Sequence, residues 1–175
     1  MSETLTLRRL EAADWAAVHS WSSLPEYCRF QAWGPNSEDE TREFVARAVA
    51  GWSQSPQTRY VYLASAAGRA VGTGEIVVRR ALFRTGEIGY GLHPEVWGRG
   101  FGTVLGGELL RIGFEELGFH RIQATCDPRN LGSAGVLRKL GMTYEGRLRH
   151  SMLIRDGWRD SEMFSILEEE CRSQR

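Results

Sequence analysis

The sequence predicts one mixed α/β domain, and three observations support this prediction. The chain has 175 residues, enough for a single ordinary hydrophobic core. Its composition, with 42% hydrophobic and 25% charged residues, is typical of a folded globular protein. Stretches with alternating apolar residues are interspersed with stretches whose apolar residues recur at helical spacing. Because no repeat, linker or low-complexity segment interrupts this pattern, we expect a single domain over residues 1–175.

The first part of the chain predicts one strand followed by two helices. Residues 5–10 alternate apolar and polar side chains, as a half-buried strand does. The next stretch carries apolar residues at helical spacing up to Trp21. Ser37 and Glu40 then form the spacing of a capping box, which predicts that a second helix begins there and ends near Gly51.

Three strands are predicted in the middle of the chain. Residues 59–80 indicate two strands joined by a turn at Ala67 and Gly68. A third strand follows, and Gly89 and Gly91 interrupt its apolar pattern. Glycines within a strand often mark a place where another group approaches the backbone closely, so we expect such an approach here.

The remaining elements are a helix, a strand, a second helix and two strands. The long helix ends near Gly118, residues 121–126 form the strand, and Gly141 closes the shorter helix. Asp156 and Gly157 supply the turn chemistry of a closing hairpin. The predicted order is therefore strand, two helices, three strands, helix, strand, helix, two strands.

Charge and targeting signals narrow the function classes. The 22 basic and 22 acidic residues balance, which argues against a broad basic surface for nucleic acid. Lys139 is the only lysine, so arginine carries nearly all the positive charge. The N-terminal stretch lacks the apolar core of a signal peptide, and no stretch approaches the ~20 apolar residues of a membrane span. We therefore expect a cytoplasmic protein with no nucleic-acid or membrane partner.

Cysteine and histidine spacing gives no indication of a metal site. Cys28, Cys126 and Cys171 are widely separated, and no C-x-x-C pair occurs, so neither a zinc ribbon nor a disulfide framework is predicted. The four histidines show no metal-ligand spacing either. Cys126 closes a predicted strand, and we interpret it as a small buried residue rather than a nucleophile.

The stretch EVWGRGFGTVL places Gly98, Gly100 and Gly102 immediately before a predicted helix. A Walker A loop is excluded because the chain has no Gly-Lys pair, and a dinucleotide fingerprint fails at Thr103 and at Leu105. Unpaired amides at a helix N-terminus can still bind a pyrophosphate. From spacing alone, a flexible turn that leads into a core helix remains an equal alternative.

Two motifs together resemble the GNAT N-acetyltransferase superfamily. WGRGFG, beginning at Trp97, is similar to its acetyl-CoA signature R/Q-x-x-G-x-G/A, although Trp97 replaces the usual first residue. NLGSAGVLRKLGMTYEGRLR, beginning at Asn130, resembles a block of the RimJ/RimL-like branch, whose members acetylate ribosomal-protein N-termini and small amines. Similarity extends over nearly the whole chain.

This resemblance implies a fold and a cosubstrate. The fold is a mixed, mostly antiparallel sheet, flanked by helices, whose central parallel strand pair splays apart. The cosubstrate is acetyl-CoA, and no metal is implied. The gap between the splayed strands would receive the pantetheine arm, and the glycine stretch would receive the pyrophosphate. The residues implied to bind acetyl-CoA are Tyr90, Gly91, Leu92, Gly98, Arg99, Gly100, Phe101, Gly102, Thr103 and Asn130.

The catalytic residues are less well defined by the resemblance. Many GNAT enzymes carry a tyrosine acid where this chain has Leu137. Ser133 is the candidate acid or thiol-positioning residue, with a helix N-terminal hydrogen bond as the alternative role. Glu87 is the candidate base, with an exposed strand carboxylate as its alternative, and Glu75 is a weaker rival. Asn130 has the alternative role of a helix cap.

The acceptor is predicted to be a primary amine of a small molecule or a protein N-terminus. Aromatic residues between the two N-terminal helices either line the acceptor cleft or pin those helices to the sheet. The candidate substrate-binding residues are Trp21, Tyr27, Phe30 and Trp33. Homodimers are frequent in the family, and one is compatible with this sequence. A catalytically inactive acetyl-CoA-binding sensor or interaction module is the alternative function.

Overall fold

A seven-stranded sheet with the order β1-β2-β3-β4-β5-β7-β6 forms the frame of the protein. The structure is a computed structural model and describes residues 4–173. The strands are β1 (Leu5–Arg9), β2 (Arg59–Ala66), β3 (Arg69–Arg80), β4 (Thr85–Leu92), β5 (Arg121–Cys126), β6 (Thr143–Ile154) and β7 (Gly157–Leu167). The helices are α1 (Trp15–Ser22), α2 (Pro25–Cys28), α3 (Glu38–Gly51), α4 (Phe101–Arg111), α5 (Leu131–Lys139) and α6 (Glu168–Ser173).

Helices cover both faces of this sheet, and each face has its own apolar core. On one face, Leu105 and Leu109 of α4 pack against Gly74, where a side chain on β3 would collide with both leucines. On the other, α1 and α3 pack against Val61 and Leu63 of β2. The predicted mixed α/β fold is confirmed, and the predicted elements follow one another in the predicted order, with two additional helices, α2 and α6.

Local signals explain most of the element boundaries. Ser37 and Glu40 form both hydrogen bonds of the predicted capping box at the start of α3. The predicted turns at Ala67–Gly68 and Arg155–Asp156 join β2 to β3 and β6 to β7. The sequence did not indicate the four-residue helix α2 or the terminal helix α6.

The two central parallel strands separate after a short contact. β4 and β5 pair only where residues 85–87 face residues 121–123, and every other strand pair of the sheet is antiparallel. Beyond Glu87, the β4 edge that faces β5 therefore has no strand partner. This confirms the predicted splay and opens a gap at the centre of the sheet. No helix within residues 4–173 is long and apolar enough to cross a bilayer.

Candidate active site

A cavity of about 200 Å³ lies where β4 and β5 separate. Its wall combines the sheet with the segment around α2, which comprises residues 25–34, and with the start of α5. The lining residues are Tyr27, Phe30, Gln31, Trp33, Phe44, Arg59, Val61, Thr73, Gly74, Glu75, Ile88, Gly89, Tyr90, Gly91, Ala124, Thr125, Cys126, Asp127, Asn130, Ser133, Leu137 and Arg159. The gap thus brings together residues that lie far apart in the sequence.

The unpaired edge of β4 forms one side of this gap. Tyr90 and Gly91 line the cavity, while the Leu92 side chain is buried in the core. Backbone N–H and C=O groups along an unpaired strand edge can bind an extended ligand as an additional strand would. The edge also supplies N–H donors next to the cavity, where they could stabilise a developing oxyanion.

The glycine stretch forms the N-terminus of α4. Gly98 and Gly100 have φ angles of 72° and 84°, a left-handed conformation that glycine adopts without strain. A Cβ atom at either position would meet nothing within 4 Å, so the backbone there is open. Thr103 N–H already donates to the Gly100 carbonyl at 3.1 Å, which leaves the earlier glycine amides as the better anion donors.

The side chains around this stretch have separate roles. Phe101 is buried and belongs to the core, so its ring is not available to a ligand. The Arg99 guanidinium lies 5.3 Å from the centre of the Phe101 ring. Trp97, which replaces the usual first residue of the family signature, donates its indole N–H to the Leu92 carbonyl at 2.7 Å. This bond connects the end of β4 to the glycine stretch.

Asn130 and Ser133 lie at the start of α5 and both line the cavity. The Asn130 Oδ1 atom accepts a hydrogen bond from Ser133 N–H at 3.0 Å, so Asn130 caps the helix. This local role positions both residues at the gap. The Ser133 hydroxyl lies beside two other polar groups, the Tyr90 phenol and the Cys126 thiol.

Tyr90 and Cys126 are protonated groups in an apolar environment. Burial raises the pKa of Tyr90 to about 12, an effect that Ser133 partly offsets. Its hydroxyl is buried and has no hydrogen-bond partner within the described part of the chain. Burial likewise raises the pKa of Cys126 to about 11, which agrees with a small buried residue rather than a nucleophile.

Three of the four aromatic residues predicted to bind the acceptor line the cavity: Tyr27, Phe30 and Trp33. Trp21 does not, because only 1% of its surface is exposed and it belongs to the core beneath α1 and α3. The expectation that Trp21 contacts the acceptor is therefore wrong. Helical spacing alone could not distinguish a core tryptophan from a cleft tryptophan.

The glycines of β4 make room for side chains of the protein itself. A Cβ atom on Gly91 would lie 2.1 Å from the Tyr27 hydroxyl oxygen, and one on Gly89 would lie 3.2 Å from Oε1 of Glu75. The close approach expected at these positions thus comes from Tyr27 and Glu75. Both side chains are thereby brought against the strand that borders the gap.

Arg155, in the β6–β7 turn, holds the segment that carries the aromatic residues. Its guanidinium donates to the carbonyl oxygens of Cys28 at 2.7 Å and Trp33 at 3.1 Å, and also to that of Gly34. Asp156, the next residue, accepts from Arg129 at 3.0 Å. The hairpin turn therefore closes one end of the cavity by fixing the backbone around α2.

The two candidate bases occupy different positions. Glu87 does not line the cavity, and both of its carboxylate oxygens are occupied: Arg79 binds them at 3.0 and 2.8 Å, and Gln123 donates to one at 2.8 Å. Glu75 does line the cavity, and Arg59 donates to its Oε2 atom at 2.8 Å. The geometry therefore favours Glu75, the weaker candidate from sequence.

Sequence reasoning missed Arg159, Asp127 and Arg129. Arg159 and Asp127 line the cavity, and Arg129 binds Asp127 from outside. Asp127 is buried, yet its bonds to Arg129 hold its pKa below the usual value. No motif singles out these residues, and the approach of Arg159 to Asp127 depends on how β7 pairs with β5. The described residues contain no cluster of His, Cys, Asp or Glu that could hold a metal ion.

Comparisons with known proteins define the class. Residues 4–143 match the family described as Acetyltransferase (GNAT) domain. The chain belongs to this family, and it is an acetyl-CoA-dependent N-acetyltransferase. The predicted superfamily and enzyme class are confirmed, and the comparisons lend no support to the alternative of an inactive sensor.

Named relatives agree with this class and cover nearly the whole chain. An uncharacterized N-acetyltransferase, YnaD, of Bacillus subtilis is 29% identical over 97% of this chain and 96% of its own length. The spermidine N(1)-acetyltransferase of Escherichia coli is 25% identical over 95% of this chain and 88% of its own length. A GNAT acetyltransferase structure from Bacillus anthracis superimposes with a TM-score of 0.82 at 29% identity and covers 97% of this chain and 98% of its own.

Proposed function

We propose that this N-acetyltransferase acetylates the primary amine of a small molecule that binds in the cavity between β4 and β5. One observation carries the proposal: the unpaired edge of β4 runs from the glycine stretch to a cavity of about 200 Å³. A donor that binds along this edge would present its thioester to the cavity. The anchored segment around α2 encloses the other side, which suits a small acceptor better than a folded protein surface.

The donor would be held mainly by backbone groups. The amides of Gly98, Gly100 and Gly102 fit a pyrophosphate, because the two left-handed glycines leave open space in front of them. The β4 edge at Tyr90 and Gly91 would pair with the pantetheine arm, and its N–H groups would bind the thioester oxygen. Acetyl-CoA supplies the activated acetyl group and a thiolate leaving group.

The side chains around the cavity would move the protons. As the amine nitrogen bonds to the acetyl carbon and the C–S bond breaks, the nitrogen must lose a proton to give a neutral amide, and Glu75 on the cavity wall can accept it, directly or through water. The departing thiolate needs a hydrogen-bond donor. Tyr90, which stays neutral because burial raises its pKa to about 12, and the adjacent Ser133 are the donors nearest the gap.

The phosphate site can be tested with a matched pair of glycine variants. Gly100→Glu places a carboxylate where the pyrophosphate is proposed to bind, so CoA affinity should fall at least 100-fold by calorimetric titration. Gly68→Glu is the control, because Gly68 also has a left-handed φ, of 77°, with nothing within 4 Å of a Cβ atom. Both variants therefore carry similar backbone strain, but only the first should lose CoA.

Turnover would be followed through release of the CoA thiol with a thiol-reactive dye, across small amines and N-terminal peptides. Preferential acetylation of peptides would contradict the proposed acceptor class, and CoA binding without any turnover would contradict acetyl transfer. Unchanged CoA affinity in a folded Gly100→Glu variant would contradict the phosphate site.

A further inference from the structure

Arg159 presents buried N–H groups without hydrogen-bond acceptors to the cavity. Its side chain is nine-tenths buried, with 10% of its surface exposed. The Nε and Nη1 atoms are buried and have no hydrogen-bond partner among residues 4–173. The Nη2 atom donates to the Met152 sulfur at 3.0 Å, and a thioether is a weak acceptor. Burying unpaired guanidinium N–H groups is costly, so this arrangement indicates a site preorganised for an anion.

The carboxylates of the cavity wall already belong to other arginines. Asp127 comes no closer to Arg159 Nη1 than 3.9 Å. Its Oδ1 atom accepts from Arg129 N–H at 2.8 Å and from Arg129 Nε at 3.0 Å, and its Oδ2 atom accepts from Arg129 Nη2 at 2.7 Å. Arg59 binds the Oε2 atom of Glu75 through Nε at 2.8 Å and Nη2 at 2.7 Å. Arg159 is therefore the cavity cation whose N–H groups still lack an acceptor.

Arg159 lies next to the place where the acetyl group is proposed to be transferred. It is close enough to Cys126 for its charge to lower the pKa of that thiol, against the larger opposing effects of burial and of the Glu162 carboxylate. Cys126 ends β5 beside Ser133, at the gap where the thioester is proposed to lie. An anion bound by Arg159 would therefore lie close to the reacting amine rather than at the far end of a long acceptor.

We propose that Arg159 binds the carboxylate of the acceptor, so that the substrate is a small primary amine bearing a carboxylate, as an amino acid does. This inference rests on the proposed function. A carboxylate can accept from Nη1, or from Nε together with Nη2, whose present acceptor is only the Met152 sulfur. The same charge disfavours a polyamine, whose second ammonium group would enter a cavity that already holds the Arg159 guanidinium.

The test uses matched acceptors and variants of the full chain. Each of several amino acids is compared with its amide and with its decarboxylated amine, at equal concentrations of neutral amine. We expect kcat/KM for the amino acid to exceed that of both analogues by about 10- to 100-fold, from the value of a hydrogen bond to a charged group. Arg159→Gln should abolish this preference through KM, and Arg159→Lys should retain part of it.

Controls separate this inference from the proposed function. Arg47→Gln, on the exposed surface of α3, should leave the preference unchanged. Binding of the same ligands to CoA-saturated protein provides a readout that does not require turnover, and thermal melting verifies that each variant folds. Arg159→Lys retains the buried charge if Arg159→Gln does not fold.

The outcomes are distinguishable. If acetylation is rapid but equal for amino acids and their amides, the inference is wrong while the proposed function stands. If Arg159→Gln instead lowers only the use of succinyl-CoA relative to acetyl-CoA, the carboxylate belongs to the acyl group, and the acceptor assignment is overturned. If CoA binds but no amine reacts or binds, both proposals fail.

Discussion

Replacing Gly91 with alanine should destabilise the protein by about 1–3 kcal/mol, because the added methyl group would collide with Tyr27. The new Cβ atom would lie 2.1 Å from the Tyr27 hydroxyl oxygen and 2.7 Å from Cζ, whereas ordinary contacts begin at 3.4 Å. The phenol ring must therefore move by about 1.3 Å, the difference between 3.4 and 2.1 Å. Arg155 holds the neighbouring Cys28 carbonyl, which restricts that movement.

Gly89→Ala is the matched control for this change. Gly89 lies on the same face of β4, but its added Cβ atom would meet only the flexible end of Glu75, at 3.2 Å. A shift of a few tenths of an ångström suffices there, and alanine restricts the unfolded chain more than glycine does. The stability of Gly89→Ala should therefore stay within about 1 kcal/mol of the wild type.

Urea denaturation of a double-mutant cycle measures the collision directly. In a Tyr27→Ala background the obstacle is gone, so Gly91→Ala should cost less than about 0.5 kcal/mol. A coupling free energy of about 1–3 kcal/mol between the two positions is the expected result. If Gly91→Ala costs the same stability in both backgrounds, the conclusion that Tyr27 leaves no room for a side chain at position 91 is refuted.

Two further predictions concern arginine contacts. Arg155→Ala should cost about 1 kcal/mol of stability and raise the KM for the acceptor, because it releases the backbone around Trp33. CoA affinity should not change. A loss of CoA affinity as large as the rise in the acceptor KM, measured by calorimetric titration, would contradict this. Asp14 accepts hydrogen bonds from Arg8 that lower its pKa below 3.8, so its stabilisation is present above that value and is lost as the pH falls through the folded-state pKa. Urea unfolding should therefore show Asp14→Asn to be less stable than the wild type at pH 7, and this difference in stability should shrink as the pH falls below 3.8. A difference that does not depend on pH would contradict the assignment.

Elements with local chemical signals could be predicted from the sequence. The capping box at Ser37 and the turn at Asp156 each lie within a few residues, so their hydrogen bonds do not depend on the rest of the fold. The α4 N-terminus was recognisable for the same reason. A family motif then supplied what periodicity could not, the parallel pairing and splay of β4 and β5.

Features that depend on long-range packing could not be predicted. Trp21 enters the core and Trp33 lines the cavity, although both belong to the same aromatic-rich stretch, because the segment around α2 is fixed by Arg155, more than 120 residues away. Glu87 was the leading candidate base because it lies on a splayed strand. Its neutralisation by Arg79 comes from the adjacent strand β3, whose register the sequence does not reveal.

The two halves of the site differ in how strongly the fold determines them. The proposed donor contacts are backbone amides at Gly98 and Gly100 and along the β4 edge, which the splayed sheet supplies with little dependence on side chains. The proposed acceptor contacts are side chains, namely Phe30, Trp33 and Arg159, from segments that join only in the folded protein. Acceptor preference can therefore change by single substitutions that leave CoA binding intact. For this reason family membership identifies the donor, whereas the proposed acceptor class rests on the N–H groups of Arg159 that have no acceptor within residues 4–173.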